Sequence, residues 1–296
     1  MSFGTVGGSN LARNSENPLR LSFCIRPSAG HWSGPRPRIS AMARSFYTAE
    51  DGLLIPSELT RGPWDPDAQH AGPPAALLGR AIERCEPRDG FQVGRVTVEI
   101  LAPVPLAPLE ASARVVRPGR SVELIEASLS GPEGEVMRAR AWRLQPGEIE
   151  LDGDAEGRPP GPEAGVAKDF FPTVEELGYH VGTEYRFVRG AFMEPGPALV
   201  WMRSTVPLVE GEEPSPLERL LVVADSGNGV SASLDPRRHL FINTDLSVHL
   251  IRPPSGEWIC LEATTYVEGV GLADTVLWDE CGRLGRCAQT LLVRER

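Results

Sequence analysis

Two stretches of this chain alternate apolar and polar residues in the same order. Val96-Thr97-Val98-Glu99-Ile100-Leu101-Ala102-Pro103 reads as a strand with one buried face, and Leu246-Ser247-Val248-His249-Leu250-Ile251-Arg252-Pro253 repeats it 150 residues later. At the same offset Gly119 meets Gly269. After a hairpin whose turn differs by about two residues, Val136-Met137-Arg138-Ala139-Arg140-Ala141 meets Leu284-Gly285-Arg286-Cys287-Ala288-Gln289. Ahead of each strand block lies one apolar helix. The first follows His70-Ala71-Gly72-Pro73-Pro74, where proline suits a first turn, and Ala75 to Glu83 supplies strong helix formers. The second spans Pro216 to Val223, with Asp225-Ser226-Gly227-Asn228-Gly229 near its end. A helix apolar on most sides must be wrapped rather than merely covered, so the strands of each copy should curl around it. The pattern predicts an α+β chain made of one duplicated unit.

The periodicity lapses in two places. Residues 1–43 are rich in Gly, Ser, Pro, Asn and Arg and read as a leader without packed structure; Met42, just before Phe46-Tyr47-Thr48, is expected to be the natural start. Residues 147–168, dominated by Pro, Gly, Asp and Glu, read as a linker. The expected domains are therefore residues 44–146 and 169–296.

Composition narrows the function. With 40 Asp+Glu against 30 Lys+Arg, the net charge of -10 offers no field to collect phosphates, which demotes nucleic acid as a partner. No run approaches the 18 to 20 apolar residues that about one bilayer crossing needs, so no membrane partner is expected. The five cysteines are scattered without a C-x-x-C pair, which fits a reducing cytoplasm better than a disulfide framework. No H-E-x-x-H or close His/Asp cluster suggests a metal, and no cofactor is expected.

From Phe46 to Arg296 the chain resembles the acyl-CoA thioesterases of the double hot-dog type, the thioesterase II-like group. The resemblance rests on the order and spacing of His70-Ala71-Gly72-Pro73-Pro74-Ala75-Ala76-Leu77-Leu78, Phe241-Ile242-Asn243-Thr244-Asp245-Leu246 with Arg252-Pro253 after it, Gly256-Glu257-Trp258, and Gly285-Arg286-Cys287-Ala288-Gln289-Thr290-Leu291-Leu292-Val293. It implies a double hot-dog: two curled antiparallel sheets, each around a central helix. It also implies hydrolysis of an acyl-CoA by a water held between a helix aspartate, a strand hydroxyl or amide, and a glutamine of the last strand. Those positions fall on Asp225, Asn243 and Gln289, all in the second unit; Asn243 departs from the family in lacking a hydroxyl.

Thioester hydrolysis needs a positioned water, a proton acceptor and donors for the developing oxyanion, but no nucleophilic serine. Backbone N–H groups near Gly72, where a missing Cβ would let a ligand approach, are the expected oxyanion donors. His70 is assigned to substrate binding, and Arg252 to the coenzyme A phosphates. Read without the resemblance, Asp225 is a turn residue after a helix and Gln289 a core amide on the face of Cys287, Leu291 and Val293. Strict alternation puts Asn243 with Asp245 and Ser247, facing away from Leu246 and Val248. Asp65 and His70 leave open a hot-dog enoyl-CoA hydratase, and a non-catalytic acyl-CoA binding protein is the reading from another class. Exposed sheet edges lead us to expect a homo-oligomer, with a dimer first.

Overall fold

A computed structural model describes residues 44–147, 157–172 and 175–296; the leader and the proposed start at Met42 lie outside them, as does the middle of the linker. The described residues form one compact unit. The chain enters through a separate hairpin of β1 (Tyr47–Glu50) and β2 (Leu53–Pro56) and continues into helix α1 (Gly72–Arg84). Then come β3 (Gln92–Ile100), β4 (Glu110–Arg117), β5 (Val122–Gly131) and β6 (Gly134–Leu144). The second copy contains β7 (Thr183–Ala191), β8 (Glu194–Ser204), α2 (Pro216–Ala224) and the short α3 (Gly227–Val230). It closes with β9 (His239–Asn243), β10 (Asp245–Leu250), β11 (Ile259–Glu268), β12 (Val270–Asp279) and β13 (Gly282–Glu295).

The copies share one antiparallel sheet in the order β4-β5-β6-β3-β10-β13-β12-β11-β8-β7, with β9 beside the far half of β13. The seam is β3 against β10, where Thr97 lies opposite Ser247, the partner given by the 150-residue repeat. The copies differ before their helices. Strands β7 and β8 are long and join the main sheet, whereas β1 and β2 stay apart from it.

Both helices are held from most sides, as their composition demands. Nine of the thirteen residues of α1 are buried, and α2 buries Leu217, Leu220, Leu221, Val222, Val223 and Ala224. They run antiparallel in contact: Gly72 at the start of α1 meets Val222 near the end of α2, while Glu83 meets Ser215 at the other end. α1 starts three residues earlier than the sequence suggested, with Pro73 and Pro74 inside its first turn.

Ser215 caps α2 by accepting the Glu218 N–H at 3.1 Å, and its own hydroxyl donates to Glu83 Oε2 at 2.5 Å. Glu218 is 5% exposed and close to Glu83, so burial first, and the neighbouring carboxylate second, push its carboxyl up to about 7. The folded state therefore keeps a proton that the unfolded chain releases, and stability is lost as pH rises from near 4.5 through about 7. Glu218→Gln should gain on the order of 2 kcal/mol at pH 8 and nearly nothing at pH 4.5. Urea unfolding of both proteins at the two pH values checks this; an equal gain at both would contradict it.

One irregularity positions a functional side chain. Along β13 Asn243 pairs with Leu291 but Ser247 pairs with Ala288, so four residues on one side span three on the other. This is a one-residue bulge at Thr244. It turns Asn243 onto the face of Leu246 and Val248, correcting the outward orientation that strict alternation gave. The Asp245 carboxylate bridges the bulge by accepting the Thr290 N–H at 2.9 Å.

Candidate active site

Asp225 is the C-cap of α2 and only 5% exposed. Its Oδ1 accepts the Asn243 Nδ2 amide at 2.8 Å and the Gln289 Nε2 amide at 3.1 Å. Gln289, 1% exposed, also donates through Nε2 to the Asp225 carbonyl at 3.0 Å, and its Oε1 accepts the Asn228 N–H of α3 at 3.0 Å. The amide is thereby saturated: its partners are the acid and the backbone that follows it, so it orients Asp225. The three second-unit residues read from the sequence thus meet in one cluster.

The other oxygen of Asp225, Oδ2, lies 3.3 Å from His70 Nδ1. Burial lowers the His70 pKa, opposed by the Asp225 charge, which favours a neutral ring near neutral pH. In the tautomer that carries its proton on Nε2, His70 Nδ1 accepts the Gly72 N–H at 3.1 Å. The ring is stacked on Tyr179, centroids 3.7 Å apart and planes 8° from parallel. Tyr179 in turn donates to the Val222 carbonyl at 2.9 Å and lies 3.1 Å from Ser226 Oγ. Sequence reading missed Tyr179, since a lone tyrosine in an irregular segment carries no periodic signal. It also missed Thr275, whose buried Oγ1 has no hydrogen-bond partner among the described residues and sits beside Gly227 and Gln289.

Two substrate-binding assignments need correction. A Cβ on Gly72 would sit 2.1 Å from the Val222 carbonyl oxygen, so glycine is required there by helix contact rather than ligand approach. The Gly72 N–H is committed to His70, which removes it as an oxyanion donor in this arrangement. Arg252 stands beyond the far end of β10 and holds the buried Asp279 carboxylate with two hydrogen bonds of 2.7 and 2.6 Å, so its guanidinium braces the β12–β13 turn. The pairing behind a hydratase does not form: Asp65 accepts the Asp67 N–H at 2.9 Å in its own turn, while His70 faces Asp225.

Aromatic side chains pack beside α3. Trp64 packs on Phe171 and Phe241 with ring centroids 5.4 and 5.3 Å apart, and Phe171 lies against Gly229. No group of three metal-ligating side chains is found among the described residues, and no described helix is long and apolar enough to cross a membrane.

Comparison with known proteins agrees with the geometry. Residues 60–144 match the acyl-CoA thioesterase N-terminal domain and residues 154–293 the acyl-CoA thioesterase C-terminal domain. No curated protein matches the sequence significantly. A hot-dog protein of unknown function from Alicyclobacillus acidocaldarius superposes with a TM-score of 0.64 at 18% identity, covering 86% of this chain and 97% of that one. A structure assigned as a thioesterase II from Thermobifida fusca YX gives 0.62 at 18% identity, covering 85% and 96%. The acyl-CoA thioesterase II of Mycobacterium marinum gives 0.59 at 16%, covering 83% and 94%. At these identities the superpositions show the double hot-dog fold, while the domain matches show the family. The chain belongs to the acyl-CoA thioesterase family and is a thioester hydrolase.

Proposed function

We propose that the Asp225 cluster hydrolyses an acyl-CoA to a free carboxylic acid and coenzyme A by direct attack of water. The observation that carries this reading is the asymmetry of the carboxylate: two side-chain amides hold Oδ1, and Oδ2 is left facing His70. Water attacks the thioester carbonyl as Oδ2 takes its proton, and the tetrahedral intermediate expels the thiolate, which recovers a proton from Asp225. The His70 Nε2–H is the donor for the oxyanion, held in that tautomer by the Gly72 N–H and in that plane by Tyr179. Asn243 and Gln289 orient the acid. The step balances without a metal or redox group.

Substitutions separate hydrolysis from hydration. His70→Ala should lower thiol release by roughly 100-fold, the usual cost of an oxyanion donor, while Asp65→Ala should stay within about threefold of the parent. Activity that collapses in Asp65→Ala and adds water to an enoyl-CoA would transfer the assignment to a hydratase.

A further inference from the structure

In the second copy, β12 and β13 set Thr275 diagonally beside Gln289 on the buried face of the sheet: Thr275 lies opposite Cys287, and Gln289 opposite Ala273. The first copy repeats this hairpin without the polar groups. The register irregularity between Leu277 and Trp278 has its equal between Leu129 and Ser130, and counting back along each strand from it puts Ala127 in the place of Thr275 and Ala141 in the place of Gln289. Both alanines are as buried as their polar counterparts, so the wrapped sheet needs neither a hydroxyl nor an amide at these positions.

Thr275 is 1% exposed, and its Oγ1 has no hydrogen-bond partner among the described residues. A hydroxyl buried in this way costs stability, a cost that alanine avoids in the first copy. A Cβ on Gly227 would stand 2.8 Å from Thr275 Oγ1 and 3.0 Å from Gln289 Oε1, so the two oxygens flank one point that glycine leaves clear. Every polar atom of the Gln289 amide has a partner, Nε2 on Asp225 and Oε1 on the Asn228 N–H; the one capacity left is the second lone pair of Oε1. A donor without an acceptor and an oxygen with a lone pair to spare thus lie on the same side of Gly227.

We propose that Thr275 is a positioning residue for thioester hydrolysis and acts through Gln289: with substrate bound, its hydroxyl donates to Gln289 Oε1 and holds the amide with Nε2 on Asp225. Hydrogen bonds at such sites are often long in the free enzyme and tighten with substrate. An amide turned over would set its oxygen against the Asp225 carboxylate and release Oδ1. The inference rests on the proposed hydrolysis by the Asp225 cluster. The test is thiol release by the full chain, using the acyl-CoA that the parent hydrolyses fastest, for Thr275→Val, Thr275→Ser, Gln289→Ala and Thr275→Val combined with Gln289→Ala. Thr275→Val should lose about tenfold in kcat with KM within about twofold, at a melting temperature no lower than the parent's, while Thr275→Ser stays within about threefold of the parent. Added to Gln289→Ala, the valine should change kcat by less than about twofold, because the group it acts through is gone. If Thr275→Val does not fold, Thr275→Ala, which reproduces the first copy's Ala127, takes its place. With an active parent, an undiminished kcat in Thr275→Val, a serine variant as slow as the valine one, or the same tenfold loss on top of Gln289→Ala overturns the proposal and leaves hydrolysis standing; a parent that releases no thiol removes both.

Discussion

Asp225→Asn is expected to lower thiol release from acyl-CoA by about a thousandfold, the range for loss of a general base, while the fold stays intact. The substituted amide has the same shape, and its oxygen can still accept the Asn243 and Gln289 amides that hold Oδ1 in the parent. What it cannot do is take a proton at the position of Oδ2, beside His70. The melting temperature should therefore move by only about 2 °C, since little packing or hydrogen bonding changes. Steady-state kinetics should show the loss in kcat with little change in KM, because the group acts on the attacking water rather than on substrate held in the ground state. A fully active variant would remove Asp225 from the chemistry and leave Gln289 and Asn243 as core amides.

Gly72→Ala should have the largest effect on stability. Its Cβ would meet the Val222 carbonyl oxygen at 2.1 Å and the Val222 carbonyl carbon at 3.1 Å, and neither atom can swing aside as a side chain does. Relief requires α1 to move away from α2, which loosens the tightest helix contact and the Tyr179 hydrogen bond to the same carbonyl. A cost of about 3 kcal/mol or more follows, or a melting point lower by roughly 6 to 12 °C. The same movement shifts the N–H that holds His70, so thiol release should fall even in the folded fraction. Differential scanning calorimetry checks the first effect; an unchanged melting point would show that the helices separate at negligible cost.

The duplication and both wrapped helices were legible because they rest on periodicity: apolar runs too dense for a surface helix, and alternation that returns after 150 residues. Asp225 and Gln289 were singled out through family spacing, and the structure adds what spacing lacks, their hydrogen-bonded contact with each other. Asn243 was misdirected because a single extra residue at Thr244 reverses the phase of a strand, and nothing in Asn243-Thr244-Asp245 marks a bulge. The acid that His70 faces was not legible for a related reason: Asp65 is five residues away in sequence, whereas Asp225 is brought in by the antiparallel helix contact. Gly72 illustrates the same limit, since its missing Cβ answers to a carbonyl 150 residues later. The bracing role of Arg252, assigned from the sequence to the coenzyme A phosphates, was not legible because Asp279, its partner across the sheet, is separated from it by a hairpin.

Thiol release and product analysis on the parent protein, across short, medium and long acyl-CoAs, decide whether the Asp225 cluster hydrolyses a thioester. At least one acyl-CoA should yield coenzyme A and free acid in equal amounts, with multiple turnovers. Binding without thiol release across the whole panel would contradict hydrolysis and make the Asp225 cluster part of a binding protein.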